Sequence, residues 1–192
     1  MAVAEDSHHG HHGHHVANAQ PVESSLHGES LYHLNGSWKA TSGKVFDLKS
    51  LKGQLVVITM AYTRCKVSCP MVVAKLKEIE SALEKTGASN FKIVMASFDS
   101  KFDTPEKLTQ FLKDRKLDAQ RWVLLSPKSD REAREMAAAI GIVYSRDKDQ
   151  EYSHSNVITL LNKNGVQISS LNGLVASHED FIKRAKKEID AD

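Results

Sequence analysis

Cys65 and Cys69 are the only cysteines in 192 residues, and they stand four positions apart in Tyr62-Thr63-Arg64-Cys65-Lys66-Val67-Ser68-Cys69-Pro70. Two sulfurs that close can form a disulfide, hold a soft metal ion, or alternate between the two. A thiolate is both the nucleophile and the metal ligand, and its pKa falls at helix N-termini and beside cations. Cys69 is expected to cap a helix, with Arg64 and Lys66 nearby, so both thiols are expected to ionise readily. The three intervening residues make a longer loop than the C-x-x-C of thioredoxin-type oxidoreductases, so the pair can meet or can open around an ion. Two thiolates suit Cu(I), whereas a structural Zn(II) site demands four protein ligands. Cu(II) needs a third ligand, and imidazole is the obvious type.

Imidazole is concentrated at the start of the chain, where His8, His9, His11, His12, His14 and His15 fill six of eight positions. Gly10 and Gly13 leave that backbone free to wrap, and neutral imidazoles can ligate Cu(II), Ni(II) or Zn(II). An affinity tag has a similar content but is seldom interrupted by glycine, so a natural metal-collecting arm is the expectation. Beyond the arm and its neighbours His27 and His33, only His154 and His178 remain. His178 falls in the first turn of the last expected helix and reads as a surface residue. His154 lies in Gln150-Glu151-Tyr152-Ser153-His154-Ser155-Asn156, at the end of a long loop from Tyr144. It is either an exposed loop histidine or the missing ligand.

The elements that must position these groups follow from periodicity. Leu55-Val56-Val57-Ile58-Thr59-Met60-Ala61 is a nearly continuous β-branched run, as for a strand buried on both faces, and it leads straight into the cysteine segment. Pro70 suits a first helical turn, and Val72, Val73, Leu76, Ile79 and Leu83 then recur at helical spacing up to Gly87. Two more units follow: strand 91–98 with a helix from Thr104-Pro105, then strand 122–125 with a helix over 129–140. Before them, Trp38–Thr41 and Lys44–Leu48 flank a Ser42-Gly43 turn and read as a small hairpin. After them, strands 157–161 and 166–171 enclose Asn164-Gly165, a strong hairpin signal. A last helix opens on a capping-box pattern, Ser177-His178-Glu179-Asp180. This order predicts an α/β sandwich, with a central mixed sheet flanked by helices and an antiparallel hairpin at one edge. Ligands of open α/β sheets bind beyond the carboxyl ends of the strands, where Cys65 and Cys69 fall.

Residues 1–36 have low complexity and no period, and are expected to be a disordered arm ahead of one folded domain, 37–192. The first 38 residues hold four acids and no Lys or Arg, so of the net charge of +2 that stretch carries −4 and the rest +6. Such mild polarity, with no basic stripe bearing aromatics, argues against nucleic acid. No run approaches the ~20 apolar residues of a membrane helix. Met1-Ala2-Val3-Ala4-Glu5 is too short for a signal peptide, but Ala-Val-Ala is like the remnant near a signal cleavage site, so a processed export protein is expected.

Three motifs then bear a resemblance in common. Tyr-Thr-x-Cys-x-x-x-Cys-Pro at Tyr62–Pro70, Asp-x-x-x-Asp-Thr-Pro at Asp99–Pro105, and His154-Ser155 before a hairpin with Gly165 occur in the order found in the Sco/SenC family, which the chain resembles from about Trp38 onward. The resemblance implies a thioredoxin-like fold adapted to copper, with Cys65, Cys69 and His154 as ligands of Cu(I) and Cu(II). It further implies an exported or membrane-anchored protein, in the periplasm or on the extracytoplasmic face of a membrane, that helps assemble the copper centre of cytochrome c oxidase as copper donor, thiol reductant or both. Two features depart from the family: Lys66-Val67-Ser68 replaces the Pro-Asp-Val that many members carry between the cysteines, and Ser153 replaces the Asp before the histidine. Lys66 favours a reactive thiolate where an acid would favour copper. The leading expectation is a monomeric metallochaperone with a copper-receiving target. The alternative is a thiol:disulfide oxidoreductase with Cys65 and Cys69 as its redox pair, and passive metal storage through the arm is a third class.

Overall fold

The computed structural model describes residues 28–65, 68–147 and 152–191. The histidine-rich stretch 8–15 and His27 lie outside them, as do Lys66 and Val67. Strands β1 (Lys39–Ala40), β2 (Leu55–Ala61), β3 (Phe91–Ser97), β4 (Trp122–Ser126), β7 (Val157–Leu161) and β8 (Gln167–Asn172) form one sheet in the order β1-β4-β3-β2-β7-β8. β2, β3 and β4 run parallel, while β7 lies antiparallel to β2 and forms the expected edge hairpin with β8. All seven residues of β2 are buried, which is why its sequence does not alternate. Helices α1 (Ser68–Lys85), α2 (Pro105–Asp114), α3 (Asp130–Ala139) and α4 (Glu179–Ile189) flank the sheet. No helix among the described residues is long and apolar enough to cross a membrane.

Local chemistry sets most boundaries. Thr104 caps α2 through Lys107 N–H, with Pro105 in the first turn, and Ser129 caps α3 through Glu132 N–H. The Glu132 carboxylate instead accepts from the backbone of Ser37 (2.8 Å) and Lys128 (2.7 Å), tying the start of the fold to α3. The capping box expected at α4 does not form. Ser177 Oγ accepts from Glu179 N–H at 3.3 Å, and Asp180 turns outward to Lys183.

Two expectations change. The ordered fold takes in residues assigned to the arm: Leu31–His33 form a 3₁₀ turn, Leu31 and Tyr32 are buried, and Tyr32 Oη donates to Leu51 O at 3.2 Å. Two large apolar residues close together are enough to anchor a segment that has no period. The small hairpin after Trp38 forms as expected, with Ala40 N–H donating to Lys44 O (3.0 Å), Phe46 N–H to Trp38 O (2.7 Å) and Lys39 bridging Val45, while Lys39 and Ala40 also pair with β4 and Asp47 caps a 3₁₀ turn at Leu48–Leu51. Finally, the loop expected from Tyr144 is itself a hairpin, β5 (Tyr144–Arg146) against β6 (Tyr152–His154), in a separate two-stranded sheet.

The N-terminal segment crosses the β7–β8 turn, where Leu31 N–H donates to Gly165 O at 2.9 Å. Gly165 has φ +78, and a Cβ there would lie 2.6 Å from Tyr32 Cδ2 and 2.7 Å from Ser30 Oγ. Gly43 has φ +76 with open space around it. Gly165→Ala is therefore expected to cost about 3 kcal/mol in urea unfolding, from left-handed strain plus overpacking, and Gly43→Ala about 1 kcal/mol from strain alone. Equal losses would show that the segment is not seated on the turn.

Candidate metal and redox site

β2 ends at Ala61, and four residues later Cys65 enters a turn closed by its own N–H on Tyr62 O, 3.3 Å. α1 starts at Ser68, earlier than Pro70 suggested, so Cys69 lies inside the helix rather than capping it. Cys65 takes the capping part, its Sγ accepting from Cys69 N–H at 3.3 Å. Among the described residues neither cysteine forms a disulfide, and the two are 8% and 0% exposed.

The expectation that both thiols ionise readily fails for Cys69. Its pKa is driven well above the ordinary thiol value, first by the hydrogen bond with the Cys65 side chain, then by burial, with the charge of Asp103 adding to the effect. The cation meant to lower it is engaged elsewhere. Arg64 Nη2 sits 2.8 Å from Asp99 Oδ2, and its guanidinium lies over the Phe102 ring, 3.9 Å from the centroid. At rest Cys69 therefore keeps its proton, hydrogen-bonded to the Cys65 side chain.

The Asp-x-x-x-Asp motif holds this turn in place. Asp103 is 1% exposed and accepts from Thr63 N–H (2.9 Å), Thr63 Oγ1 (2.5 Å) and Ser97 Oγ (2.5 Å). Burial raises its pKa, and those bonds oppose the rise. Asp99, fully buried, pairs with Arg64 and accepts from the N–H groups of Lys101 and Phe102, both 3.1 Å. The loop after β3 thus fixes both residues that precede Cys65.

His154 ends β6, opposite Tyr144. Its Nδ1 lies 3.1 Å from Ser155 O, and since a carbonyl can only accept, Nδ1 carries the proton and Nε2 the lone pair. Nε2 is buried and has no hydrogen-bond partner among the described residues. Ser155 is bolted to Val143 twice, by N–H to Val143 O (2.9 Å) and by Oγ accepting from Val143 N–H (3.0 Å). The imidazole rests on Phe98, ring centroids 4.9 Å apart, and Tyr152 packs edge-on against Tyr62 at 5.0 Å.

The structure therefore brings Cys65 and Cys69 together and turns the Nε2 of His154 inward. Among the described residues, however, no three of His, Cys, Asp and Glu converge closely enough to hold an ion, so His154 stands apart from the sulfurs in this geometry. His33 is exposed. His178 is partly buried rather than free at the surface, its Nδ1 3.4 Å from the buried Lys75 amine. Sequence reading missed Thr63, Ser97, Phe98, Tyr144, Tyr152 and Ser155 as parts of the site. One signal was present: Tyr144/Arg146 and Tyr152/His154 alternate about a polar stretch, as hairpin arms do.

Comparison with known proteins gives the same outline. A family model described as SCO1/SenC matches residues 30–190. The SCO1 protein homolog of Bacillus subtilis (strain 168) is 26% identical over 147 residues, covering 75% of this chain and 76% of its own. Among solved structures, Arabidopsis thaliana ScoI with copper bound superposes with a TM-score of 0.68 at 19% identity, covering 82% of this chain and 99% of its own. BsSco, a member of the Sco family of cytochrome c oxidase assembly proteins described for a disulfide switch, gives 0.70 at 23%, covering 83% and 96%. At those identities the two structures establish a shared thioredoxin-like fold.

Two outcomes follow from the geometry. Asp103→Ala leaves three donors of Thr63 and Ser97 without an acceptor and is expected to cost about 2–4 kcal/mol, with Asp103→Asn milder, as read by denaturant midpoints. Because the folded state keeps the Cys69 proton that the unfolded chain releases above a pKa of about 8.5, stability of the reduced protein falls as pH rises past that value, by at most about 1.4 kcal/mol per unit. The difference between the parent and Cys69→Ala, measured from pH 8 to 10, reports it; a constant difference would refute a raised pKa.

Proposed function

Because the chain belongs to the SCO1/SenC family, we propose that it is a copper-binding metallochaperone whose cargo is held by Cys65, Cys69 and His154. The observation that carries this reading is that the chain holds two adjacent thiols outside any disulfide and an imidazole whose buried Nε2 has no hydrogen-bond partner among the described residues. Two thiolates satisfy Cu(I), and an added imidazole nitrogen makes the set acceptable to Cu(II). Cargo must displace the thiol protons, so apparent affinity rises with pH. Transfer proceeds by ligand exchange with a cuproenzyme such as cytochrome c oxidase, on the extracytoplasmic side of a membrane. The arm histidines, His8, His9, His11, His12, His14 and His15, raise the local metal concentration.

The adjacency of the thiols also favours a second activity, reduction of a partner's disulfide. Cys65, the less deeply buried sulfur, would attack as thiolate and release one partner sulfur. Cys69 would then displace the other, leaving a Cys65–Cys69 disulfide and a dithiol partner.

Copper titration of the full chain separates these readings. A thiolate-to-Cu(II) charge-transfer band, which the arm imidazoles cannot produce, is expected in the parent protein and lost in Cys65→Ser, Cys69→Ser and His154→Ala. Cu(I) binding, measured by competition with a chelator, is expected to survive His154→Ala but neither serine variant. Binding unchanged by all three substitutions would remove the chaperone reading, while disulfide turnover that survives His154→Ala without added copper would favour the reductase.

A further inference from the structure

Phe98 follows β3 and joins the two halves of the site. On one side its N–H donates to Ala61 O at 3.2 Å, at the end of the strand that delivers the cysteines, and the next residue, Asp99, holds Arg64. On the other side its ring meets three rings of the β5–β6 hairpin: Tyr144 at 4.7 Å, His154 at 4.9 Å and Tyr152 at 5.9 Å between centroids. Phe98 is 1% exposed, so its ring is a fixed platform rather than a mobile lid. Nothing else in this set of contacts touches both the frame of the cysteine turn and the imidazole.

Resting on the copper-binding reading above, we propose that Phe98 is the positioning residue for the third ligand, and that its bulk sets how the site divides between a two-sulfur mode and a two-sulfur-plus-imidazole mode. Two thiolates alone can satisfy Cu(I), whereas Cu(II) depends on the added nitrogen. A residue that acts only through where the imidazole lies therefore alters selection between oxidation states, and leaves the Cu(I) mode alone. A general packing residue would weaken both modes together. Leucine at 98 keeps the site apolar but withdraws the ring against which the His154 imidazole packs, tilted by 43°, together with the ring contacts to Tyr144 and Tyr152.

The test uses the full chain with Cu(II) and Cu(I) salts. In Phe98→Leu the cysteine-dependent Cu(II) band is expected to shift or fade and Cu(II) affinity to fall about tenfold or more, the usual effect of losing a residue that orients a ligand, with Cu(I) affinity unchanged. Adding Phe98→Leu to His154→Ala should cost Cu(II) nothing further. Equal losses for both oxidation states, or additive losses in the double variant, would overturn the inference. Absence of any cysteine-dependent copper binding in the parent protein would defeat the parent reading instead. A measurement independent of any variant is nuclear magnetic resonance of the metal-free parent: the His154 ring protons should lie upfield under the Phe98 ring current, with the proton on Nδ1. A normal shift there would refute the platform.

Discussion

A buried carboxylate, Asp103, holds the site's floor together. The turn between β2 and α1 has to carry two sulfurs out of solvent, and backbone donors taken out of water cost free energy unless an acceptor meets them. Asp103 meets Thr63 N–H and Thr63 Oγ1 while Ser97 reaches it from the end of β3. Without that acceptor the cysteine turn would have no reason to fold down against the parallel strands. The charge it brings is itself poorly solvated, and it raises the proton affinity of Cys69.

Charge is compartmented around this centre. Asp99 takes the Arg64 guanidinium, which Phe102 covers from the other side, so the one described cation beside the cysteines is balanced before it can act on sulfur. Cys69 waits as a protonated thiol beside the Cys65 sulfur. Opposite them, Ser155 sets the His154 tautomer so that Nε2 offers a lone pair. The imidazole is thus in its ligating form, whereas the Cys69 sulfur must first give up its proton, and each half is fixed by backbone contacts of its own.

Much of this was legible in the sequence. The apolar, largely β-branched run 55–61, the Thr104-Pro105 helix start and the Asn164-Gly165 turn each have a local physical cause and stand where expected, while Pro70 marked α1 but not its first residue. Leu31 and Tyr32 were not legible, because their burial depends on a turn more than a hundred residues away. The same holds for Arg64: sequence shows a cation beside cysteine, but only the tertiary fold shows the carboxylate that neutralises it. His154 was found by its residue type and motif, whereas its platform, Phe98, looked like the last residue of a hydrophobic strand. Aromatic side chains at strand ends are ambiguous in this way, since core packing and site walls use the same residues.

The seating of the N-terminal segment on the Gly165 turn determines where the histidine-rich arm departs. That turn adjoins Gly53, whose N–H donates to Lys163 O at 2.8 Å, just ahead of β2, whereas the cysteines follow its far end. The arm is therefore tethered one strand length from the thiols, about 23 Å for seven residues. His15 lies thirteen residues before Gly28, enough chain to span at most about 45 Å. Contact between arm and site is then governed by tether reach and the effective concentration it sets, and adding or removing residues between 16 and 27 would tune that exchange without altering either ligand set.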